Sequence, residues 1–377
     1  MFYVIFNSGL ASFYPAILGI KWPDRFSSEL LMAKSTQQQS VLMLLRQSPT
    51  PLSLRDIELK INGEASARTL RRWLAGWVAE HKIEKIGAGP STLYQIISQS
   101  DDSAAPVVQG DSFGFLRGLD ADLRIGLLGQ IRDLWTHTST ALEGNTLSLG
   151  DTHFILEQGL TVSGKPLKDH QEVRGHALAI ELLYQCVEKP LSEELVFALH
   201  RAIQIEHIDD IYKPMGGWKV EANGTHMIGR DNKQHFIEYA LPLFVPRLMA
   251  EVLDFINSIG AEDISLANAA AIYAKVHMGV AHIHPFWDGN GRMARLLANI
   301  PLLKGGLPPL VIGQETRRVY IQTLSNYQVS TGQLTSGTGV WPTPELLAAF
   351  SDFCASNYGS TQALVDEAFT VQGRRST

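Results

Sequence analysis

Residues 284–295, His-Pro-Phe-Trp-Asp-Gly-Asn-Gly-Arg-Met-Ala-Arg, constrain this chain more than any other stretch. Gly289 and Gly291 flank Asn290, and the residues from Met293 on favour helix, so the glycines should sit at a helix N-terminus. The free backbone N–H groups there, with the positive end of the helix dipole, make an anion site. Glycine lets the backbone come close to phosphate oxygens and tolerates the positive φ that such a nest often requires. Arg292 and Arg295 lie three apart on one helical face, where they can grip different phosphates. Asp288 is a hard oxygen donor suited to one position on a hydrated Mg2+. His284, with a reference pKa of about 6.5, is available near neutral pH to take a proton from an attacking hydroxyl. A surface turn would explain any one of these residues; handling of a polyphosphate explains the set. No Gly-x-x-x-x-Gly-Lys-(Ser/Thr) occurs, so the phosphate site is not a P-loop.

A second constellation, Ser139-Thr-Ala-Leu-Glu143-Gly144-Asn145, follows a helical run through Ile131, Leu134 and Trp135. It reads as a helix ending at Gly144. A carboxylate in the last turn opposes the helix dipole, so Glu143 calls for a cationic partner that the sequence alone does not name.

The 284–295 segment resembles the signature of Fic-domain proteins, His-x-Phe-x-(Asp/Glu)-Gly-Asn-Gly-Arg-x-x-Arg, at every specified position. The resemblance implies transfer of AMP from ATP to a protein hydroxyl, with pyrophosphate leaving and Mg2+ assisting. His284 would be the catalytic base and Asp288 the metal ligand. Gly289, Asn290, Gly291, Arg292 and Arg295 would bind the nucleotide. The related Doc branch, which is kinase-like, alters Gly-Asn-Gly; the intact triplet here favours nucleotidyl transfer. Residues 139–145 are similar to the family's inhibitory motif, (Ser/Thr)-x-x-x-Glu-(Gly/Asn). There the glutamate, Glu143 here, pairs with the second motif arginine, Arg295, and blocks the γ-phosphate position. Residues 146–176, with Gly159 to His170 among them, also look like the stretch that follows this helix in many bacterial relatives. Arg317 to Gln328 resembles the helix that closes over the adenine, with Tyr320 matching a family tyrosine. Gln328 stands where several relatives carry Asn, so its contact with the base is left open.

Between these parts, Leu195, Val196, Leu199 and Ile203 predict an amphipathic helix. Alternation at Trp218, Val220 and Ala222, then Asn223-Gly224, predicts a hairpin turning at Asn-Gly. Its position matches the Fic flap, which clamps a target's extended segment by backbone pairing. His277, His282 and His284, at spacings of five and two, do not place three metal ligands on one helical face; His277 and His282 read as core histidines.

At 377 residues the chain is longer than such a core needs. Helices expected at 37–45, 53–60 and 66–79, then strands at 83–86 and 92–96, resemble a winged helix-turn-helix. Arg68, Arg71 and Arg72 on its third helix are candidate DNA contacts. Residues 34–97 carry nine Lys/Arg against five acids, whereas the whole chain is −6. That asymmetry suits nucleic acid, although winged helices also serve dimerisation and target docking. The expected fold is mostly α, a Fic-type helical domain with a β-hairpin flap over 113–370. A winged helix-turn-helix (α+β) at 34–97 and a linker at 98–112 precede it. Residues 1–33 are an arm, or an extension ahead of a natural start near Met32; they are too broken for a signal peptide or a spanning helix. Two cysteines far apart and an ATP substrate point to the cytoplasm, with no membrane partner. The expected partner is a protein substrate, with DNA and a homodimer left open. Two rival readings stand: an enzyme that removes AMP, with Glu143 orienting water, and a DNA-binding regulator whose Fic part only senses nucleotide.

Overall fold

In the computed structural model, the described residues are 41, 44–45, 48, 51–61, 65–79, 83–87, 92–96, 113–204, 210–228 and 233–375. The expected arm, the linker and most of the helix expected at 37–45 lie outside them. Val41, Leu44 and Leu45 of that helix are described and helical. The chain divides into two compact units with the break between Pro106 and Val107.

In the smaller unit, β1 (Leu52–Ser53) leads into α1 (Leu54–Lys60), and α2 (Ala67–Ala79) precedes β2 (Ile83–Ile86) and β3 (Leu93–Ile96). The sheet is antiparallel in the order β1-β3-β2, pairing Leu52 with Tyr94 and Ile83 with Ile96. The two-residue β1 was not expected from sequence, being too short to show a period. Ser53 ends it and caps α1, accepting from the Asp56 N–H while the Asp56 carboxylate accepts from its own. Leu70, Trp73, Leu74 and Trp77 recur at helical spacing and bury one face of α2 against Ile57 and Ile83. Arg68, Arg71 and Arg72 lie exposed on the remainder.

The larger unit is helical apart from one hairpin. Helix α8 (Ala269–Ile283) is its axis: every residue from Val276 to Ile283 is buried, as in a helix packed on all sides. Helices α7 (Val245–Ser258), α9 (Asn290–Leu297) and α12 (Ala348–Asn357) pack directly on it. Helix α3 (Ala121–Leu142) packs on α4 (Leu149–Gln158) and α5 (Leu167–Cys186), and α5 on α6 (Glu193–Ile203). Val196, Leu199 and Ile203 of α6 are buried at the expected spacing. The unit is completed by α10 (Ile300–Lys304), α11 (Arg317–Thr331) and α13 (Gly359–Arg375). Among the described residues, no helix is long and apolar enough to cross a membrane.

The hairpin differs from its expected register. Strands β4 (Gly224–Ile228) and β5 (Gln234–Glu238) pair from Gly224–Glu238 to Ile228–Gln234, so the connection falls after Ile228 and not at Asn223-Gly224. Asn223 is committed elsewhere. Its Oδ1 accepts from Lys219 Nζ at 2.6 Å, and its Nδ2 donates to the Phe286 carbonyl at 3.2 Å. Asn-Gly is thus the foot of the hairpin. The alternation is inverted as well: Lys219 is buried and Val220 is 53% exposed.

Candidate active site

Helix α8 delivers the first functional group. It ends at Ile283, and His284 caps it with φ 54° and ψ 61°, its N–H donating to the Val280 carbonyl at 2.9 Å. Among the described residues, His284 is the one non-glycine with positive φ, a conformation that costs about 1–2 kcal/mol. Strain of this kind persists where the surroundings over-determine it. Here the Tyr239 ring lies flat on the imidazole, with centroids 3.8 Å apart and planes 2° from parallel. His284 Nδ1 faces the Ala281 carbonyl at 3.4 Å and must carry the proton to donate there, leaving Nε2 as the free base. Burial and then the Lys219 ammonium push the His284 pKa down to about 3, so the imidazole is neutral at pH 7.

The turn after it is tied shut. Asn290 Oδ1 accepts from the Phe286 N–H and its Nδ2 donates to the Phe286 carbonyl, both at 2.8 Å. The Asn290 side chain is therefore spent on the loop. What it can offer a phosphate is its backbone N–H at the start of α9, after Gly289 at φ 77°. His200 supports the turn from α6, stacking on Phe286 at 3.9 Å. Its Nδ1 accepts from the Gly216 N–H at 2.9 Å, so Nε2–H donates to the Asp288 carbonyl at 3.2 Å. Burial holds its pKa at about 4, which keeps it in that neutral form.

Asp288 stands at the rim, with its side chain 55% exposed. Its Oδ2 accepts from Arg292 Nη2 at 3.3 Å and Gln204 Nε2 at 3.4 Å. Burial works against its ionisation, but Arg292, the Gly289 amide and Gln204 outweigh that and hold its pKa below the ordinary value. One open carboxylate beside a helix start with free backbone N–H groups fits Mg2+, which keeps several waters and takes phosphate oxygens as further ligands. A separate cluster, Asp133, His153 and Glu157, has ligand atoms close together. Arg132 Nη2 already bridges its carboxylates at 2.7 and 2.6 Å, standing where a cation would.

The two arginines on α9 have different surroundings. Arg292 Nη1 donates to the Ile203 carbonyl at 3.0 Å. Arg295, 2% exposed, reaches α3 instead. Its Nε and Nη2 donate to the Ser139 hydroxyl and carbonyl at 3.0 and 2.8 Å, and Nη2 also meets Glu143 Oε1 at 2.7 Å. Glu143 is the C-cap of α3, where the helix dipole is negative. Its carboxylate lies over the first turn of α9, and a Cβ at Gly291 would collide with Glu143 Oε1. The expected cation is thus Arg295, and the carboxylate sits beside Gly291 at the start of α9.

Tyr320 is buried behind Arg295. Its hydroxyl accepts from Nη1 at 3.2 Å and so donates to His277 Nε2 at 2.9 Å. Burial keeps His277 neutral to suit that bond. This placement makes Tyr320 a support for the guanidinium. Gln328 is also buried, its Nε2 donating to the Ala281 carbonyl at 3.2 Å while Oε1 has no hydrogen-bond partner. His282 is buried against Tyr327, edge to face at 5.7 Å, as a core residue. Sequence reasoning missed Gln204, His200 and Lys219, which carry no motif and reach the site only through tertiary contacts; Ser139 was read as the first residue of the 139–145 motif, but its bonds to Arg295 were not.

Residues 190–302 match the model of the Fic/DOC family. Curated relatives include protein adenylyltransferase fic-1 of Caenorhabditis briggsae, 33% identical over 198 residues, which are 51% of this chain and 36% of that protein. Protein adenylyltransferase Fic of Drosophila willistoni is 33% identical over 188 residues, 49% of this chain and 35% of that protein. The matched region thus spans about a third of the length of these relatives. Among solved structures, a Fic-domain-containing signaling protein from Bacteroides thetaiotaomicron superposes with a TM-score of 0.59 at 27% identity, covering 70% of this chain and 97% of that one. A fragment of Fic-1 from Caenorhabditis elegans shares the fold, with a TM-score of 0.52 at 19% identity over 92% of this chain and 97% of that one. Residues 190–302 carry the match to the Fic/DOC family, and the proteins above are what the chain is similar to.

Proposed function

We propose that this protein transfers AMP from ATP to a Ser, Thr or Tyr hydroxyl of a protein target, itself included, and that Glu143 restrains the reaction. The observation that carries the reading is a convergence at one helix start. An amide nest, two guanidinium groups, a rim carboxylate and an imidazole with a free Nε2 meet within residues 284–295. The names of the curated relatives support it.

The triphosphate would lie on the amides of 289–291, with Arg292 and Arg295 as its cationic ligands. Bound at Asp288, Mg2+ would neutralise charge on the phosphate oxygens. As the target oxygen bonds to the α-phosphorus, its proton passes to His284 Nε2. The bond from that phosphorus to the β-phosphate bridge breaks and pyrophosphate leaves. The negative triphosphate raises the His284 pKa from its low resting value, which strengthens the base when substrate is present. We assign the base contact to Gln328 through its unpartnered Oε1. Glu143 on Arg295 removes that guanidinium from the γ-phosphate and puts like charge against it. For the smaller unit we propose a winged helix that meets DNA phosphates through Arg68, Arg71 and Arg72. The whole chain should then bind duplex DNA with affinity that falls as salt rises, and less tightly after Arg71→Ala or Arg72→Ala. An ATP substrate fits a cytoplasmic location.

The test of the enzymatic reading is labelling with Mg2+ and ATP carrying label at the α-phosphate, alone and in a cell lysate. Covalent label from α-labelled but not γ-labelled ATP is expected. Equal transfer from γ-labelled ATP would mean phosphoryl transfer and would sink it. Release of AMP from a premodified target, dependent on Glu143, would favour the removal reaction.

A further inference from the structure

Lys219 is a buried charged group that the reaction just described does not use. It is 3% exposed, in the segment that leads to the foot of the hairpin. Its backbone N–H donates to the Pro285 carbonyl at 2.8 Å, and its Nζ to Asn223 Oδ1 at 2.6 Å and the Ile283 carbonyl at 3.4 Å. Asn223 in turn donates to the Phe286 carbonyl. Three carbonyls that bracket His284, those of 283, 285 and 286, therefore take hydrogen bonds from residues 219–223. Lys219 Nζ also lies 5.9 Å from the centroid of the Tyr239 ring, the ring that stacks on the imidazole. No carboxylate takes part in these contacts, and burial alone pushes the Lys219 pKa down to about 7. Filling space does not explain the arrangement, because an apolar side chain would do so without desolvating an amine.

We propose that Lys219 is the positioning residue of His284, its ammonium and backbone N–H holding the left-handed loop that aims the imidazole, so that base and hairpin foot move as one piece. The inference rests on His284 being the base of the proposed transfer. The groups that face His284 are Lys219 before β4, Tyr239 after β5, His282 and the Ala281 carbonyl of α8, and Asp288 in the turn. Lys219 and His282 oppose protonation of the ring, whereas the Ala281 carbonyl and Asp288 favour it. Lys219 carries its charge below about pH 7, which is the range in which His284 would otherwise take a proton.

The experiment uses the full chain as wild type, Lys219→Met, Lys219→Gln and Lys219→Arg, with 15N-labelled histidine and His284→Ala to assign the ring. In folded Lys219→Met the His284 midpoint should rise by about one pH unit or more, the size expected for losing a nearby charge. Its AMP-transfer turnover should fall about tenfold to a hundredfold from misplacement of the base, with ATP affinity within about twofold. Lys219→Arg should recover most of the turnover. If Lys219→Met does not fold, Lys219→Gln, which keeps a donor without the charge, is read in the same way. An unchanged His284 midpoint and unchanged ring shifts in a folded, uncharged variant would overturn the proposal. The ring titration needs no turnover. Failure of the transfer reading would instead appear as a wild type that labels nothing, with the titration still reporting on Lys219.

Discussion

The two ends of the 284–295 segment are held by different kinds of contact. At the His284 end, backbone carbonyls are tied to Lys219, Asn223 and Asn290, a ring is stacked, and every partner is part of the site's own framework. At the Arg295 end, the guanidinium is shared between fixed supports, Ser139 and Tyr320, and one carboxylate, Glu143, at an exposed helix end. The first end is built into place. The second is held by a contact that one side chain can release. Under the proposed transfer, this arrangement would keep the base in place and restrain the site where the phosphates would rest, so restraint need not disturb the chemistry.

The sharpest challenge to the base end is His284→Ala. Transfer should fall about 10²–10⁴-fold while ATP binding persists, because the base acts only on the incoming hydroxyl. Near-normal transfer by mass shift would remove His284 from the mechanism. Next comes Asn290→Ala, which strips the Phe286 N–H and carbonyl of buried partners and should cost about 2–4 kcal/mol of stability in urea titration. Ser139→Ala at the other end removes one of several bonds to Arg295 and should cost only about 1 kcal/mol. Equal costs would erase the contrast between the two ends.

Acid pH probes both ends together. His200 and His282 have pKa values near 4, and His176 and His277 lie well below 6.5, all four through burial first. Their folded pKa values are depressed, so only the unfolded chain takes up these protons as pH falls below about 6.5. Stability is full above that value and is lost toward pH 4, by about 1.4 kcal/mol per pH unit for each histidine. A urea midpoint flat between pH 6.5 and 4.5 would contradict the burial of these rings as neutral groups.

Much of this site was legible in the sequence because its geometry is local. Gly289–Gly291 ahead of helix formers fixes a helix start, and a glutamate followed by Gly144 fixes a carboxylate at a helix end. Both the pattern and the physics lie within a few residues. The register of the hairpin was not legible, since Asn223-Gly224 is a good turn signal whose asparagine is claimed by Lys219 and Phe286. Lys219 falls between Trp218 and Val220 and carries no motif that marks it. Only the tertiary demand of the His284 loop turns it inward. Gln204 and His200 were illegible for the same reason: each acts through a contact with a distant stretch of chain.

The most direct test of the account compares wild type with Glu143→Gly in one labelling experiment with Mg2+ and α-labelled ATP. A charge-assisted hydrogen bond such as Glu143–Arg295 is worth about 1.5–3 kcal/mol, so its loss should raise productive occupancy about tenfold to a hundredfold. The fold should change little, since Glu143 already ends a helix. Arg295→Ala run alongside should not be activated, because it loses the inhibitory partner and the phosphate ligand together. Stronger labelling by Glu143→Gly is the predicted result. Equal labelling by two folded, ATP-binding proteins would contradict the account.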